Sequence, residues 1–371
     1  MPELETKSPE KKKEVRRRPV KRRKKMSPME SFLSGILPWR GDSRGEIVRK
    51  LVLIISTVIL IVAGIIMLNF YVFRDNANTE DAQHWADLKQ QNASDDVITI
   101  IMDDDEGGSS ESGSGEEVEV LEEYYGYYEQ NNDFVGWISL FPYIQYPVVQ
   151  YTDNEYYLKH NFSGGYNENG TIFADYQGKI TKDSMPGNTL LYGHNLITNN
   201  FFQPLSNYRK KGIEFLKENY TLQFDTLYKR NYYHIFSVFL TNTKTEHGEV
   251  FEYWKKVNFS SKTEFDDYVA EVLDRSYFYT GIDLQYGDEI LTLSTCDFSM
   301  FSDMRLVVMA RKVRDDESLT LDTSKFIDNS GFDEEGKVQR KMFDAYYETY
   351  GREWAGRKWD PSYIKDYKNY W

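Results

Sequence analysis

An uncharged stretch of 23 residues, Leu51 to Phe73, constrains this chain more than any other feature of its sequence. At about 1.5 Å per residue, a helix of this length crosses a hydrocarbon core of roughly 30 Å with some tilt. A buried core helix is the alternative, but core helices seldom run this long without a polar face. The stretch is too long for a cleavable signal, and no small-residue cleavage motif follows it closely. The sequence therefore predicts a transmembrane signal-anchor helix over residues 51–73.

Charge is distributed very unevenly around this stretch. The chain has 45 basic and 59 acidic residues, and residues 1–50 hold 16 of the basic and 7 of the acidic ones. The positive-inside rule places this basic segment in the cytoplasm and everything after Arg74 outside the cell. A basic run can also bind nucleic acid, but beside a membrane span anionic headgroups and topology are the favoured reasons. We therefore expect a single-pass membrane protein that contacts membrane lipids and no nucleic acid.

Residues 74–117 are polar and acidic and include the run DDDEGGSSESGSGEE. Such a composition cannot bury enough apolar surface to fold and is typical of flexible linkers. It predicts a spacer that holds a folded head away from the membrane.

The globular region is predicted to span residues 118–314. It begins with a predicted helix, Val118 to Asn131, and a second one, Lys262 to Arg275, follows the capping pair Ser261 and Glu264. The second helix places Phe265, Tyr268, Val269 and Val272 on one face. Eight apolar runs are bounded by turn residues: VGWISL, QYPVVQ, GTIFADY, NTLLYGHN, TLQF, YYHIFSVFLTN, DEILTLSTC and MRLVVMARKV. Many short strands with few helices predict a mainly β fold, a closed or nearly closed barrel with helical decorations.

Residues 315–371 differ from the globular region in composition. Residues 315–335 are an acidic run that predicts a linker, and a helix is predicted from about Lys337 to Trp354. Ten of the last 29 residues are aromatic. This extension either docks on the barrel or contacts cell wall or substrate, and docking is the favoured interpretation.

Cys296 is the only cysteine of the chain and ends an apolar strand, between Thr295 and Asp297. A single thiol outside the cell is free, intermolecular or catalytic. Most free cysteines are small buried hydrophobes, whereas a nucleophile at a strand end is held rigidly and stays accessible. The position alone leaves both interpretations open.

Two further residues lie where thiol chemistry would need them. His194 follows an apolar strand, unlike His84 in the linker, His234 within a strand, or His160 and His247 in polar loops. Its imidazole could handle the proton while sulfur attacks. Arg305 begins the strand after Cys296, where a permanent cation would favour thiolate and a developing oxyanion. By spacing alone, a surface charge is the better interpretation of Arg305. Without Cys pairs, His pairs at ligand spacing or a glycine-rich phosphate loop, the sequence predicts neither a metal nor a cofactor.

Together, LTLSTC ending at Cys296, LLYGHN containing His194 and MRLVVMARKV containing Arg305 resemble a class B sortase. The resemblance covers about residues 133–313, roughly half of the chain. It implies an eight-stranded sortase-type β-barrel, preceded here by one transmembrane helix. It also implies a cysteine transpeptidase of Gram-positive bacteria with Cys296 as nucleophile, His194 as general acid and base, and Arg305 as substrate and oxyanion stabiliser. Ser294, Thr295 and Asn195 are expected to line the substrate groove.

The resemblance further implies the reaction and its partners. Sulfur would attack the Thr–Gly type bond of a C-terminal sorting motif in an exported protein, and the thioacyl enzyme would be resolved by the amine of a lipid-linked peptidoglycan precursor. A pilus-polymerising sortase that uses a pilin lysine remains an alternative, as does a non-catalytic surface adhesion module. The basic N-terminus, the acidic linker and the aromatic tail depart from the minimal family pattern, so substrate choice and regulation stay open.

Overall fold

The computed structural model describes residues 27–68, 84–102, 116–196, 200–328, 344 and 347–352. It divides into two compact units, residues 1–74 and 75–371. Most of the basic N-terminal segment and residues 69–73 of the predicted span lie outside the described residues.

The first unit contains two helices. Helix α1 (Pro28–Ile36) begins with a capping box in which the Ser27 side chain and the Glu30 carboxylate each bind the other residue's backbone N–H. Helix α2 (Arg44–Leu68) contains a candidate membrane span at Arg44–Met67, with a mean hydropathy of 2.7. The predicted apolar helix is thus confirmed for residues 51–68, and it begins earlier than predicted.

The second unit is built on a closed barrel of eight strands. The strands are β3 (Phe134–Leu140), β4 (Ile144–Gln150), β5 (Ile172–Ala174), β6 (Asn188–Tyr192), β7 (Thr221–Thr226), β8 (Tyr232–Asn242), β10 (Ile290–Asp297) and β11 (Met304–Lys312). Around the barrel they follow the order β10-β11-β8-β7-β3-β4-β5-β6. Each of the eight apolar runs contributes one of these strands, so the predicted eight-stranded barrel is confirmed.

Strand direction decides which residues meet at one end of this barrel. Strands β6 and β10 are parallel neighbours, with Leu191 opposite Leu293 and Tyr192 opposite Ser294. Strand β11 is antiparallel to β10 and pairs Arg305 with Cys296. Because parallel strands end at the same edge, the residues that follow β6 emerge beside the end of β10 and the start of β11. Fully buried side chains such as Ile138, Val148 and Val308 fill the interior.

Helix α6 (Lys262–Leu273) packs on the outside of the barrel, close to the predicted bounds. Ser261 caps its N-terminus by accepting a hydrogen bond from the Glu264 N–H. The four residues predicted to share one face are all buried, in a cluster that includes Phe239 and Val307. The smaller helices α4 (Ser206–Lys211) and α5 (Ile213–Glu218) connect β6 to β7.

The predicted helix at Val118–Asn131 is wrong for its first four residues. Residues Glu116–Leu121 form strand β2, and only Glu122–Gln130 form helix α3. Val118 and Val120 are buried while Glu117 and Glu119 are exposed, and this period of two is that of a strand. Strand β2 pairs antiparallel with β1 (Val97–Met102).

The linker prediction is also wrong for residues 84–102. Residues 84–91 are helical, and Trp85 and Leu88 pack with Ile98 and Ile100 of β1 against the cluster around Trp137. Lys89 donates to the Tyr124 hydroxyl over 2.7 Å. These contacts bury enough apolar surface to fold the segment. The acidic run of residues 103–115 lies outside the described residues.

Part of the C-terminal region also packs on the barrel. Strand β12 (Ile327–Asp328) pairs with β9 (Phe278–Tyr279), and Phe326 is buried in the main core. The acidic linker predicted for residues 315–335 is therefore wrong at its centre. Most of the helix predicted for residues 337–354 lies outside the described residues, although 347–350 are helical and the Tyr350 ring lies 6.1 Å from the Phe301 ring.

Candidate active site

A cleft of about 300 Å³ opens at the barrel end where β6 and β10 finish. Its lining combines groups from five separate parts of the chain: Asn154, Leu158, Phe173, Tyr192, Gly193, His194, Ser294, Thr295, Cys296 and Arg305. The structure thus brings together five of the six predicted site residues in one cleft. The sixth, Asn195, lies beside it and is bonded to Cys296.

Cys296 is half-buried, and two hydrogen bonds fix the backbone around it. The Asn195 side-chain amide donates to the Cys296 carbonyl over 2.7 Å. The Thr295 hydroxyl donates to the Gly193 carbonyl over 2.7 Å. Thr295 and Asn195, predicted to line the groove, therefore also connect the loop after β6 to the end of β10.

His194 is fixed by the opposite wall of the cleft. Its Nε2 lies 3.2 Å from the Leu158 carbonyl oxygen, which can only accept, so the neutral ring carries its proton on Nε2. Nδ1 is then the nitrogen left to exchange a proton. Burial lowers the pKa of His194 below its usual value; the Leu158 contact opposes this, and the Arg305 charge adds to it. The resting imidazole is therefore neutral at neutral pH.

Arg305 lies directly across the strand pair from Cys296 and is half-buried. One of its guanidinium nitrogens, Nη1, donates to the Met304 carbonyl over 2.9 Å. No carboxylate in the described part of the chain forms an ion pair with it. A desolvated guanidinium without a carboxylate partner can bind a carbonyl or an oxyanion.

The wall beside His194 is organised by a buried carboxylate, Asp175. One of its oxygens, Oδ2, accepts from the Tyr192 hydroxyl and from the Asn154 amide, both over 2.9 Å. The Tyr176 N–H in turn donates to the Asn154 side-chain oxygen over 3.1 Å. The Asn154 and Tyr192 side chains are thereby fixed where they line the cleft.

The loop that carries His194 is braced by aromatic rings. The Phe202 N–H donates to the His194 carbonyl over 3.1 Å, and the Phe202 ring covers Gly193, where an added Cβ would lie 2.8 Å from the ring. The Tyr146 hydroxyl accepts from the Phe201 N–H, and the two rings stack 5.0 Å apart. Only a residue without a side chain fits at position 193.

Two further sets of contacts support the end of β10, one in the protein interior at Ser294 and one at Asp297. The hydroxyls of Ser294 and Tyr253 are 2.7 Å apart in the interior, and burial raises the pKa of Tyr253 to about 12. Asp297, directly after Cys296, is buried and accepts from Arg209 of α4 over 3.2 Å and from the Ser299 N–H over 2.8 Å. The Asp297 carboxylate is thus directed to Arg209 and Ser299, and its contacts there fix the strand end.

Sequence reasoning missed the residues Asn154, Leu158, Phe173, Tyr192, Tyr253 and Arg209. They lie in loops, a short helix and strands far from Cys296 in the chain, with no local pattern that marks them. The resemblance to the sortase family over about residues 133–313 was the only signal near Asn154 and Leu158. Of the other histidines, His234 is buried and lies 3.2 Å from the Ser318 carbonyl, while His247 stacks on Phe301 and lies 2.7 Å from Asp303.

Comparisons with known proteins agree on one family. The model of the sortase domain matches residues 143–313. Sortase B of Listeria monocytogenes is 32% identical over 197 residues, which cover 53% of this chain and 76% of that protein. Sortase B of Staphylococcus aureus is 28% identical over 184 residues, covering 49% and 71%. The crystal structure of Bacillus anthracis sortase B in complex with AAEK1 superposes with a TM-score of 0.50 at 28% identity, covering 66% of this chain and all of that one.

The closed eight-stranded barrel with a thiol in its end cleft is thus that of a sortase, a class of cysteine transpeptidase. Both curated relatives and the crystal structure are of one kind within that class. The chain belongs to the sortase B family.

Proposed function

We propose that this enzyme cleaves a C-terminal sorting motif of exported proteins and joins the new carboxyl end to a peptidoglycan amine. The observation that carries this proposal is the convergence of Cys296, His194 and Arg305 on one cleft from three strand ends. Their chemistry suits acyl transfer: a nucleophile, a proton carrier and a fixed positive charge. No cofactor enters the proposed reaction.

The first half-reaction forms a thioacyl enzyme. Nδ1 of the neutral His194 takes the Cys296 proton, and the sulfur adds to the carbonyl carbon of the Thr–Gly type bond. Arg305 stabilises the resulting oxyanion, a role worth on the order of 3–4 kcal/mol for a single donor in other acyl-transfer sites. The C–N bond then breaks, and the imidazolium returns its proton to the leaving amine.

The second half-reaction transfers the acyl group to an amine. The incoming amine adds to the thioester carbon while His194 takes its proton, and the C–S bond breaks to release the thiolate, which is reprotonated. Ser294, Thr295 and Asn195 hold the floor of the groove during both steps. The acceptor proposed is the amine of a lipid-linked peptidoglycan precursor, as in Gram-positive bacteria.

Attachment of the enzyme to the membrane is consistent with an acceptor that is itself linked to lipid. Helix α2 is a candidate span, and the basic residues lie before it, so the positive-inside rule places the N-terminus in the cytoplasm and the barrel outside. We therefore propose a single-pass protein of the cell membrane whose barrel meets both exported clients and lipid-linked precursors. In this arrangement, residues 1–50 are cytoplasmic, 118–314 form the catalytic domain and 315–371 form an appended extension.

The test is cleavage of fluorogenic sorting-motif peptides by the full chain, with and without an amine acceptor. We expect the wild type to cleave and to accumulate a thioacyl adduct detectable by intact mass. Cys296→Ala should lose both while its thermal unfolding stays unchanged. The exposed loop variant Ser302→Ala serves as a matched control and should keep full activity.

Two outcomes would overturn the proposal. Cleavage by Cys296→Ala would remove the thiol from the mechanism, and inertness of Cys296 to a thiol-reactive probe in the folded protein would favour an adhesion module. Mass analysis of the joined product identifies the acceptor: a pilin lysine in the cross-link would make the enzyme a pilus polymerase instead.

A further inference from the structure

Helix α1, in the unit before the barrel, carries an apolar face that residues 27–68, the described part of that unit, leave largely exposed. Met29, Phe32, Leu33 and Ile36 follow the helical i, i+3, i+4, i+7 pattern and so share one side. Met29 is 72% exposed and Phe32 67%. The chain after the helix continues this surface with Leu37 and Trp39, which are also exposed. A surface of this kind needs an apolar environment.

Lys50 determines where this helix lies along the axis of α2. Its ammonium donates to the Ser34 carbonyl over 2.5 Å and to the Asp42 carboxylate over 2.7 Å, and the residue is only 5% exposed. Lys50 directly precedes Leu51, where the uncharged stretch begins. The C-terminal end of α1 is therefore held level with the start of the uncharged stretch.

Charge specifies the surface that would cover α1. Residues 1–26, just before the helix, include 12 Lys and Arg against 4 Asp and Glu. A basic segment beside an apolar helical face and a Trp is the composition of interfacial helices that bind anionic lipid. A protein groove would match the apolar face but would not account for the adjoining basic segment.

We propose that α1 is an interfacial helix, lying in the headgroup region of the inner leaflet with its Met29–Phe32 face turned into the acyl chains and the basic segment on anionic lipid. This rests on the proposed anchoring through α2. The Lys50 clamp makes the two helices one anchoring unit, in which the span fixes depth and α1 selects anionic lipid.

The chain offers a clean spin-label experiment because Cys296 is its only cysteine. In a Cys296→Ala background, nitroxide labels are placed at Phe32→Cys on the apolar face, at Ser31→Cys on the opposite side of the same helix, and at Leu60→Cys within the span. The full chain is reconstituted into vesicles of phosphatidylcholine with phosphatidylglycerol. Power saturation compares collision with oxygen, which partitions into lipid, and with a water-soluble nickel chelate.

We expect the Phe32 label to favour oxygen several-fold more than the Ser31 label, and the Leu60 label to favour it most. Replacing the anionic lipid with phosphatidylcholine alone should move the Phe32 label toward water while leaving Leu60 unchanged. Equal water accessibility at positions 31 and 32, with Leu60 still in lipid, would overturn the interfacial helix but not the anchor.

Other outcomes separate the remaining possibilities. A Leu60 label exposed to the nickel chelate would overturn the anchoring itself. A Phe32 label shielded from both reagents would mean that protein covers the face, and dipolar broadening between labels would identify a second copy of this chain. Either result contradicts the lipid proposal.

Discussion

The side-chain amide of Asn195 donates to the backbone carbonyl of Cys296 over 2.7 Å. The residue after the proposed general acid and base therefore holds the chain of the proposed nucleophile. The two strand ends are joined by this bond as well as by the Thr295–Gly193 contact. The relative position of the thiol and the imidazole should depend on it.

Replacing Asn195 tests this dependence. Asn195→Ala removes the donor and leaves a half-buried carbonyl unpaired, at a cost of about 1–3 kcal/mol. We expect kcat to fall by about tenfold with a smaller change in KM, because the bond positions the reacting group rather than the peptide. Asn195→Asp, of equal shape but without the N–H donor, should behave like the alanine variant. Full kcat in either variant, measured by peptide cleavage, would contradict this role.

The pH dependence follows from the environment of His194. Its pKa is lowered, so the folded protein holds the neutral ring at pH values where an unfolded histidine is already protonated. The acidic limb of kcat/KM should therefore lie below the usual value of 6.5, and any contribution of neutral His194 to stability is lost as the pH falls through that range.

Arg305→Met should move that limb upward. Burial is the main cause of the lowered pKa of His194, and it remains in the variant. The positive charge of Arg305, which lowers this pKa further, is removed, so the pKa rises only part of the way to its usual value. The same variant should lose about 10²–10³-fold in kcat if Arg305 stabilises the oxyanion. Lys210→Met, on an exposed site of α4, is the control for loss of one charge. A limb that stays in place in Arg305→Met would exclude electrostatic coupling between the two groups.

The buried ion pair between Asp297 and Arg209 supports the end of β10. Asp297→Asn removes the carboxylate of this largely buried pair, and breaking a buried pair typically costs about 3–5 kcal/mol. We expect lower denaturant midpoints for Asp297→Asn and for Arg209→Met, with a double variant that is less destabilised than the sum. The acidic limb of the pH profile should not move in Asp297→Asn. A shifted limb would mean that this carboxylate acts on His194.

Gly193 tests the packing of the loop that carries His194. A Cβ at this position would lie 2.8 Å from the Phe202 ring, and such overpacking costs about 1–3 kcal/mol. Gly193→Ala should therefore lower kcat at least tenfold by displacing His194, and adding Phe202→Leu should restore part of the loss. Gly187→Ala is the matched control, because its Cβ would meet only ordinary contacts at 3.5 Å. Equal kinetics for the two glycine variants would show that the contact with Phe202 has no influence on the site.

Tyr350 tests whether the C-terminal extension docks on the barrel. Its ring stacks 6.1 Å from Phe301, in the loop between Cys296 and Arg305, and aromatic pairs contribute about 0.5–1.5 kcal/mol. Tyr350→Ala should lower the melting temperature of the full chain, whereas Tyr347→Ala should not, because both rings are about half exposed but among the described residues only that of Tyr350 contacts Phe301. Loss of peptide turnover without loss of stability in Tyr350→Ala would instead indicate a role in substrate recognition.

The barrel could be predicted from the sequence because its strands are apolar runs separated by turn residues. Burial of each strand in the core is enough to account for this apolar composition. Strand β2 was misread because EEVEVLEEYYGYYEQ contains both a strand and a helix, and its strand pairing depends on β1 across an acidic run. Cys296, His194 and Arg305 could be found because the motifs around them resemble those of a sortase, whereas their positions at strand ends left other interpretations open. Asn154, Leu158 and Arg209 could not be found from the sequence. Only the closed barrel brings Asn154 and Leu158 to the cleft and Arg209 to Asp297 beside it.

The parallel pairing of β6 with β10 has a consequence for how this enzyme matures. Residues 193–289, nearly a hundred in number, form the crossover between the two strands, including α4, α5, β7, β8 and α6. Non-local pairings of this kind form late because the chain entropy of a long loop must be lost first. Until the barrel closes, the thiol of Cys296 is an ordinary cysteine side chain without an imidazole beside it. The enzyme thus becomes catalytically active only when its last strands have paired. Before that, its thiol cannot be acylated by a substrate.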